Sequence, residues 1–135
     1  MEDKRKALVV EDEKDINALI AYHLRSEGFK VTQVFDGLEA KKILKERHFD
    51  IVVLDIMLPG LNGFEICREI RENKDSFDTF IMVVSARTSN LDKVYAHILG
   101  ADCYLTKPFS VSALTEAARE VRQLLDKESF ITEKS

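Results

Sequence analysis

Five short apolar runs, rich in β-branched residues, alternate with five longer stretches of helical period, and this alternation leaves the chain few folds to choose from. Ala7–Val10, Lys30–Phe35, Ile51–Leu54, Phe80–Val84 and Cys103–Thr106 read as strands. Ile51–Leu54 is apolar at every position, as a strand must be when both of its faces are covered. Ile16, Leu19, Ile20 and Leu24 are spaced to form one apolar helical face, with Gly28 as the stop. Asp36-Gly37 reads as a turn, and Leu38, Ile43 and Leu44 mark a second helix. The stretch Leu58-Pro59-Gly60-Leu61-Asn62-Gly63 breaks the chain before a third helix that carries Phe64, Cys67 and Ile70 inward. Ser89 and Asp92 resemble a capping box, and the helix they open is expected to bury Leu91, Val94, Tyr95 and Ile98 before ending at Gly100. The last helix starts after Pro108 with Ser110 as N-cap and aligns Val111, Leu114, Ala118, Val121 and Leu125.

Parallel strands need crossover helices, and the crossovers are right-handed. The predicted architecture is a doubly wound five-stranded parallel α/β sheet flanked by five helices, for which the flavodoxin-like strand order 2-1-3-4-5 is one common outcome. A chain of 135 residues suits one such domain, expected over 1–126. From Asp126 the sequence turns polar, so 127–135 reads as a fraying tail or the start of a linker. The net charge of −4 argues against non-specific nucleic-acid binding. Cys67 and Cys103 lack zinc-site spacing and read as ordinary buried thiols, and His23, His48 and His97 lack metal-ligand spacing too. No signal-peptide core or membrane span is visible, so a cytoplasmic location is expected.

In sheets of this kind ligands bind beyond the carboxyl ends of the strands, where the strand order reverses. The first strand ends in Glu11-Asp12 with Glu13 beside them, the third in Asp55, the fourth in Ser85, and the fifth in Thr106-Lys107-Pro108. Singly, these residues are ordinary caps, turn formers or solvated side chains. Together they gather acids, a hydroxyl and an ammonium on one rim. Carboxylates held that close repel each other unless a cation is present. Mg²⁺ suits such a pocket, since it takes one or two carboxylates together with waters and phosphate oxygens. Such a site can hold a tetrahedral dianion, and a carboxylate can itself accept a phosphoryl group.

With these residues in hand, the chain resembles the receiver family of response regulators over about Lys6 to Leu125. The likeness rests on Glu11-Asp12, on Val53-Leu54-Asp55-Ile56-Met57-Leu58-Pro59-Gly60-Leu61-Asn62-Gly63, on Ser85-Ala86, and on Gly100-Ala101-Asp102 leading into Tyr104-Leu105-Thr106-Lys107-Pro108-Phe109. The resemblance implies that Asp55 accepts a phosphoryl group from a sensor histidine kinase or phosphotransfer protein. It implies Mg²⁺ held by Asp12, by Glu11 largely through water, by Asp55 and by the main-chain carbonyl of Met57. Lys107 would pair with Asp55 at rest and with a phosphoryl oxygen afterwards, Ser85 would bind another such oxygen, and Tyr104 would follow Ser85 inward. The Lys107-Pro108 bond would be cis. The face formed by the fourth helix, fifth strand and fifth helix would change shape for a downstream effector. Met57 and Arg87 stand at the two positions that tune phosphoryl lifetime in the family, and neither is an obvious helper of an attacking water. Receivers joined to winged-helix DNA-binding domains often carry an Asp and an Arg where this chain has Cys103 and Ala117, which puts their charge-paired dimer in doubt.

The chain is thus expected to be a signalling phosphoacceptor and not a turnover enzyme. A haloacid-dehalogenase-like phosphatase would need an acid two residues after the nucleophile, where Met57 stands. A dinucleotide-binding domain would want GxGxxG in place of Glu11-Asp12-Glu13, and a flavodoxin proper would want a Ser/Thr/Gly phosphate loop there. A receiver that has lost phosphorylation is disfavoured because every expected chemical group is present.

Overall fold

The computed structural model describes residues 4–134, with side chains described through residue 127. The element order is β1 (Arg5–Val10), α1 (Lys14–Ser26), β2 (Phe29–Val34), α2 (Gly37–Glu46), β3 (Ile51–Leu54), α3 (Gly63–Glu72), β4 (Phe80–Ser85), α4 (Asn90–Ile98), β5 (Cys103–Thr106) and α5 (Val111–Lys134). The five strands are all parallel, in the order β2-β1-β3-β4-β5. This is the doubly wound sheet expected from the alternation, with the flavodoxin-like strand order. Among the described residues, no helix is long and apolar enough to cross a membrane.

Strand residues alternate between two cores because successive side chains leave opposite faces of a sheet. Leu8, Val10, Val52, Leu54, Ile81 and Val83 pack under α2, α3 and α4. Ala7, Val9, Ile51, Val53, Met82 and Val84 pack under α1 and α5, where they meet Ile20, Leu24, Leu114 and Ala118. Each large aliphatic side chain taken fully from water contributes about 1.5–3 kcal/mol. α3 buries Phe64, Cys67 and Ile70, as its spacing predicts.

Three helices differ from the sequence expectation. α1 buries Asn17, Ile20, Ala21 and Leu24, while Leu19 is exposed. The inward face is turned toward Asn17 because that amide is fully satisfied inside: its nitrogen donates to the Glu11 and Val34 carbonyls, and its oxygen accepts from Gln33. α4 buries only Ala96, with Leu99 packed behind it, and leaves Leu91 80%, Val94 55%, Tyr95 49% and Ile98 71% exposed. A small residue faces the sheet, so Leu91, Val94 and Ile98 fall on the outer side of α4, while Tyr95 sets its ring edge-on to Phe64 at 4.8 Å. On α5 Leu114, Ala118 and Val121 are buried, whereas Val111, in the first turn, is exposed. α5 also continues to Lys134, beyond Asp126, and Gln123, Leu124, Leu125 and Lys127 are all good helix formers.

The helix ends follow local chemistry. Gly28 (φ +96°) and Gly100 (φ +111°) close α1 and α4 in the left-handed region open to glycine. Asp36 caps α2 by accepting from the Glu39 N–H, and Asn62 caps α3 by accepting from the Phe64 N–H. Ser89 caps α4, but Asp92 does not complete a capping box, because its carboxylate pairs with Arg87 instead.

Candidate functional site

Parallel pairing sets the rim. Val10 and Leu54 are register partners at the ends of β1 and β3. One step on, the Asp55 N–H donates to the Val10 carbonyl at 3.0 Å, and the Glu11 N–H donates to Val34 at 3.2 Å. The ladder thus extends into the site and fixes the backbones of both acids. Carboxylate oxygens from Glu11, Asp12 and Asp55 all lie within 4.8 Å of one another. Glu11 and Asp55 are buried, at 1% and 5% exposure, while Asp12 faces solvent.

Lys107 follows β5, and its N–H donates to the Ser85 carbonyl at 2.8 Å. The peptide bond to Pro108 is cis. The Lys107 ammonium lies 2.9 Å from Asp55 Oδ2, 2.6 Å from Glu11 Oε1 and 3.5 Å from Glu13 Oε1. Burial works against its charge, but the close contacts with Glu11 and Asp55 outweigh that and push its pKa above the ordinary lysine value. Burial raises the pKa of the Glu11 carboxyl, and Lys107 partly offsets this. The remaining oxygens are held by main chain: Asp55 Oδ1 accepts from the Met57 N–H at 2.9 Å, and Glu11 Oε2 from the Glu13 N–H at 3.0 Å.

Glu11 Oε1 is buried with no well-directed hydrogen bond, since the Lys107 ammonium approaches it off axis. One ammonium faces four carboxylates if Asp12 is counted, so negative charge is left over. An acceptor oxygen left incomplete, three carboxylates in reach of one point and a surplus of negative charge fit a small hard cation such as Mg²⁺. Glu11, Asp12 and Asp55 would supply the carboxylates.

Ser85 is fully buried at the end of β4, and its Oγ accepts from the Arg87 N–H at 3.2 Å. The Arg87 carbonyl accepts from the Tyr104 hydroxyl at 2.8 Å, and the Arg87 guanidinium pairs with Asp92, in the first turn of α4, at 2.8 Å. Met57 is 56% exposed beside the acids.

The rim therefore brings together Glu11, Asp12, Asp55, Met57 and Lys107, while Ser85, Arg87 and Tyr104 form a connected chain leading from it to α4. The sequence did not disclose the contacts of Lys107 with Glu11 and Glu13, nor the three engagements of Arg87. Glu13 is visible only as a third acid in a run, and nothing in the spacing of Arg87 and Asp92 distinguishes an ion pair from two solvated charges.

The family described as response regulator receiver domain matches residues 7–119. Among solved structures, the receiver domain of response regulator 1452 from Francisella is similar at 30% identity and a TM-score of 0.81, over 90% of this chain and 98% of that one. The chemotaxis response regulator CheY4 of Vibrio cholerae is similar at 28% identity and a TM-score of 0.80, over 88% and 99%. The receiver domain of the sensor histidine kinase PA1611 from Pseudomonas aeruginosa, whose active-site cleft coordinates a magnesium ion, is similar at 29% identity and a TM-score of 0.79, over 90% and 99%.

Proposed function

The chain belongs to the response regulator receiver family, and on that premise we propose that it is a phosphoacceptor switch whose phosphoryl group is carried on Asp55. Receiver domains are signalling phosphoacceptors and bind Mg²⁺ in the active site. The observation that carries the finer reading is the placement of the Asp55 carboxylate, 5% exposed, between the Lys107 ammonium at 2.9 Å and two further acids within 4.8 Å.

Asp55 is the nucleophile. One of its oxygens forms a bond to the phosphorus of a phosphohistidine, while the donor's P–N bond breaks and the nitrogen leaves with the electron pair. The donor is a sensor histidine kinase or phosphotransfer protein. Mg²⁺, when bound by Glu11, Asp12, Asp55 and the Met57 carbonyl, supplies positive charge against the phosphoryl oxygens. Lys107 supplies the rest by moving from Asp55 Oδ2 to a phosphoryl oxygen. Ser85 turns its hydroxyl from the Arg87 N–H to donate to another such oxygen.

Arg87 gives this movement a route outward. Its N–H, carbonyl and guanidinium engage Ser85, Tyr104 and Asp92 respectively, so displacement at Ser85 alters both the Tyr104 hydroxyl contact and the start of α4. The α4–β5–α5 face is then the surface read by an effector. Because Asp92 occupies the Arg87 guanidinium and Met57 has no polar side-chain group, neither positions an attacking water, and self-dephosphorylation is slow to moderate. The domain unit is 1–126, with 127–135 a polar tail or the start of a linker that prolongs α5 as far as Lys134.

Intact mass measured after incubation with acetyl phosphate tests this reading. One phosphoryl group per chain is expected with Mg²⁺ and none with EDTA. Steady release of inorganic phosphate without accumulation on the protein would indicate a hydrolase instead.

A further inference from the structure

The β3–α3 loop, which carries Met57, is gripped from outside by the β2–α2 turn. The Gly37 N–H donates to the Pro59 carbonyl at 3.1 Å. A Cβ at Gly37 would lie 2.6 Å from Leu61 Cβ, 2.6 Å from the Leu61 carbonyl oxygen and 2.9 Å from Leu61 Cα. Gly37 is not in the left-handed region, so its lack of a side chain serves this close backbone approach and not an unusual φ. Leu38 completes the grip: its Cγ stands 3.4 Å from where Gly60, at φ +90°, would carry a Cβ. The base of the loop is closed by another such approach. The Gly63 N–H donates to the Ile56 carbonyl at 3.1 Å, and a Cβ at Gly63 would lie 2.4 Å from Ile56 Cα. The segment from Met57 to Asn62 is therefore closed at its base, where Gly63 meets Ile56, and held in its middle, where Gly37 meets Pro59 and Leu61, by backbone contacts that admit only glycine.

We propose that Gly37 is a positioning residue for the metal site: its backbone, lying against Pro59 and Leu61, holds the β3–α3 loop so that the Met57 carbonyl stays where the ion requires it. The inference rests on the reading of this site as a Mg²⁺ site. Changing a residue that orients a ligand without touching the metal commonly costs about 10–100-fold in metal affinity. Here the element that orients the ligand comes from the far side of β1, through the turn after β2, and touches no member of the site.

The test compares the parent chain with Gly37→Ala, titrating Mg²⁺ by calorimetry and following backbone amides by NMR. In the parent, the Gly37 and Leu38 amides should shift together with Met57 at one Mg²⁺ midpoint. Gly37→Ala should weaken Mg²⁺ binding by about ten-fold while acetyl phosphate still drives full phosphorylation at saturating Mg²⁺. A folded Gly37→Ala chain that binds Mg²⁺ within two-fold of the parent would overturn the proposal. So would a parent whose Gly37 and Leu38 amides ignore Mg²⁺ while Met57 responds, and this second readout stands even if the variant does not fold. A parent that binds no Mg²⁺ at all would instead overturn the reading of the site itself.

Discussion

Lys107 faces Glu11, Asp55 and Glu13 while remaining only 11% exposed at its side chain. Its ammonium is the positive charge set against the buried carboxyl groups of Glu11 and Asp55. Taking that charge away leaves two acids desolvated and repelling, a change that costs much more than the loss of a surface ion pair. Lys107→Met is expected to lower stability by about 2–4 kcal/mol in EDTA, and Mg²⁺ should restore part of the loss because a cation can take over the neutralisation. Urea unfolding at neutral pH, with EDTA and with Mg²⁺, measures both effects. Unchanged stability in EDTA would mean that the acids do not depend on Lys107.

α4 shows where sequence periodicity stops being informative. Leu91, Val94, Tyr95 and Ile98 have the spacing of a core face, yet Leu91, Val94 and Ile98 point outward, Tyr95 is half-exposed with its ring edge-on to Phe64, and Ala96 occupies the sheet side. Periodicity identifies the apolar side of a helix but not whether anything covers it. The central strands β1, β3 and β4 were legible because a parallel strand buried on both faces reads as an unbroken apolar run, while the edge strands β2 and β5, only partly buried, were legible by their β-branched and aromatic residues between turn signals. Glu11, Asp55 and Lys107 were legible because each directly follows a strand. Contacts between loops, such as Arg87 with Asp92 or Gly37 with Leu61, depend on where separate turns meet in space and left no mark in the spacing. Leu91→Ser and Ile98→Ser should each change stability by less than about 0.5 kcal/mol, where a core position would lose several times more. Chemical denaturation decides between the two, and a large loss would return α4 to the core. A second prediction concerns the junction of α1 and α5, where Arg119 donates to both Glu27 oxygens at 3.0 Å. These bonds hold the Glu27 carboxyl below its ordinary value of 4.5. The folded state therefore favours ionised Glu27, so the stabilisation is complete above the unfolded value and disappears as pH falls through the folded one. The difference in urea midpoint between the parent and Glu27→Gln should be full at neutral pH and shrink as pH drops below 4.5. A difference that grew on acidification would contradict this sign.

The molecule as a whole is a rigid sheet with its chemistry at one rim. Both hydrophobic cores lie along the strands, and the acids begin one residue beyond them, at Glu11 and Asp55. This separates what must stay fixed from what can move. β1 and β3 anchor the acids through ladder hydrogen bonds, while Ser85, Arg87 and Tyr104 lead to a helix held to the body by few buried side chains. A charge added at Asp55 meets a stiff floor and finds compliance only toward α4, so the change of shape should appear on that side. What this depends on first is that Asp55, and no other acid of the cluster, receives the phosphoryl group. The most direct measurement is peptide mapping of the phosphorylated chain after borohydride reduction of the acyl phosphate, in the parent and in Asp55→Asn. Reduction should fall on Asp55 alone in the parent, and the Asp55→Asn chain should incorporate nothing; stoichiometric labelling of that variant, or mapping of the parent's label to Glu11, Asp12 or Glu13, would contradict the account.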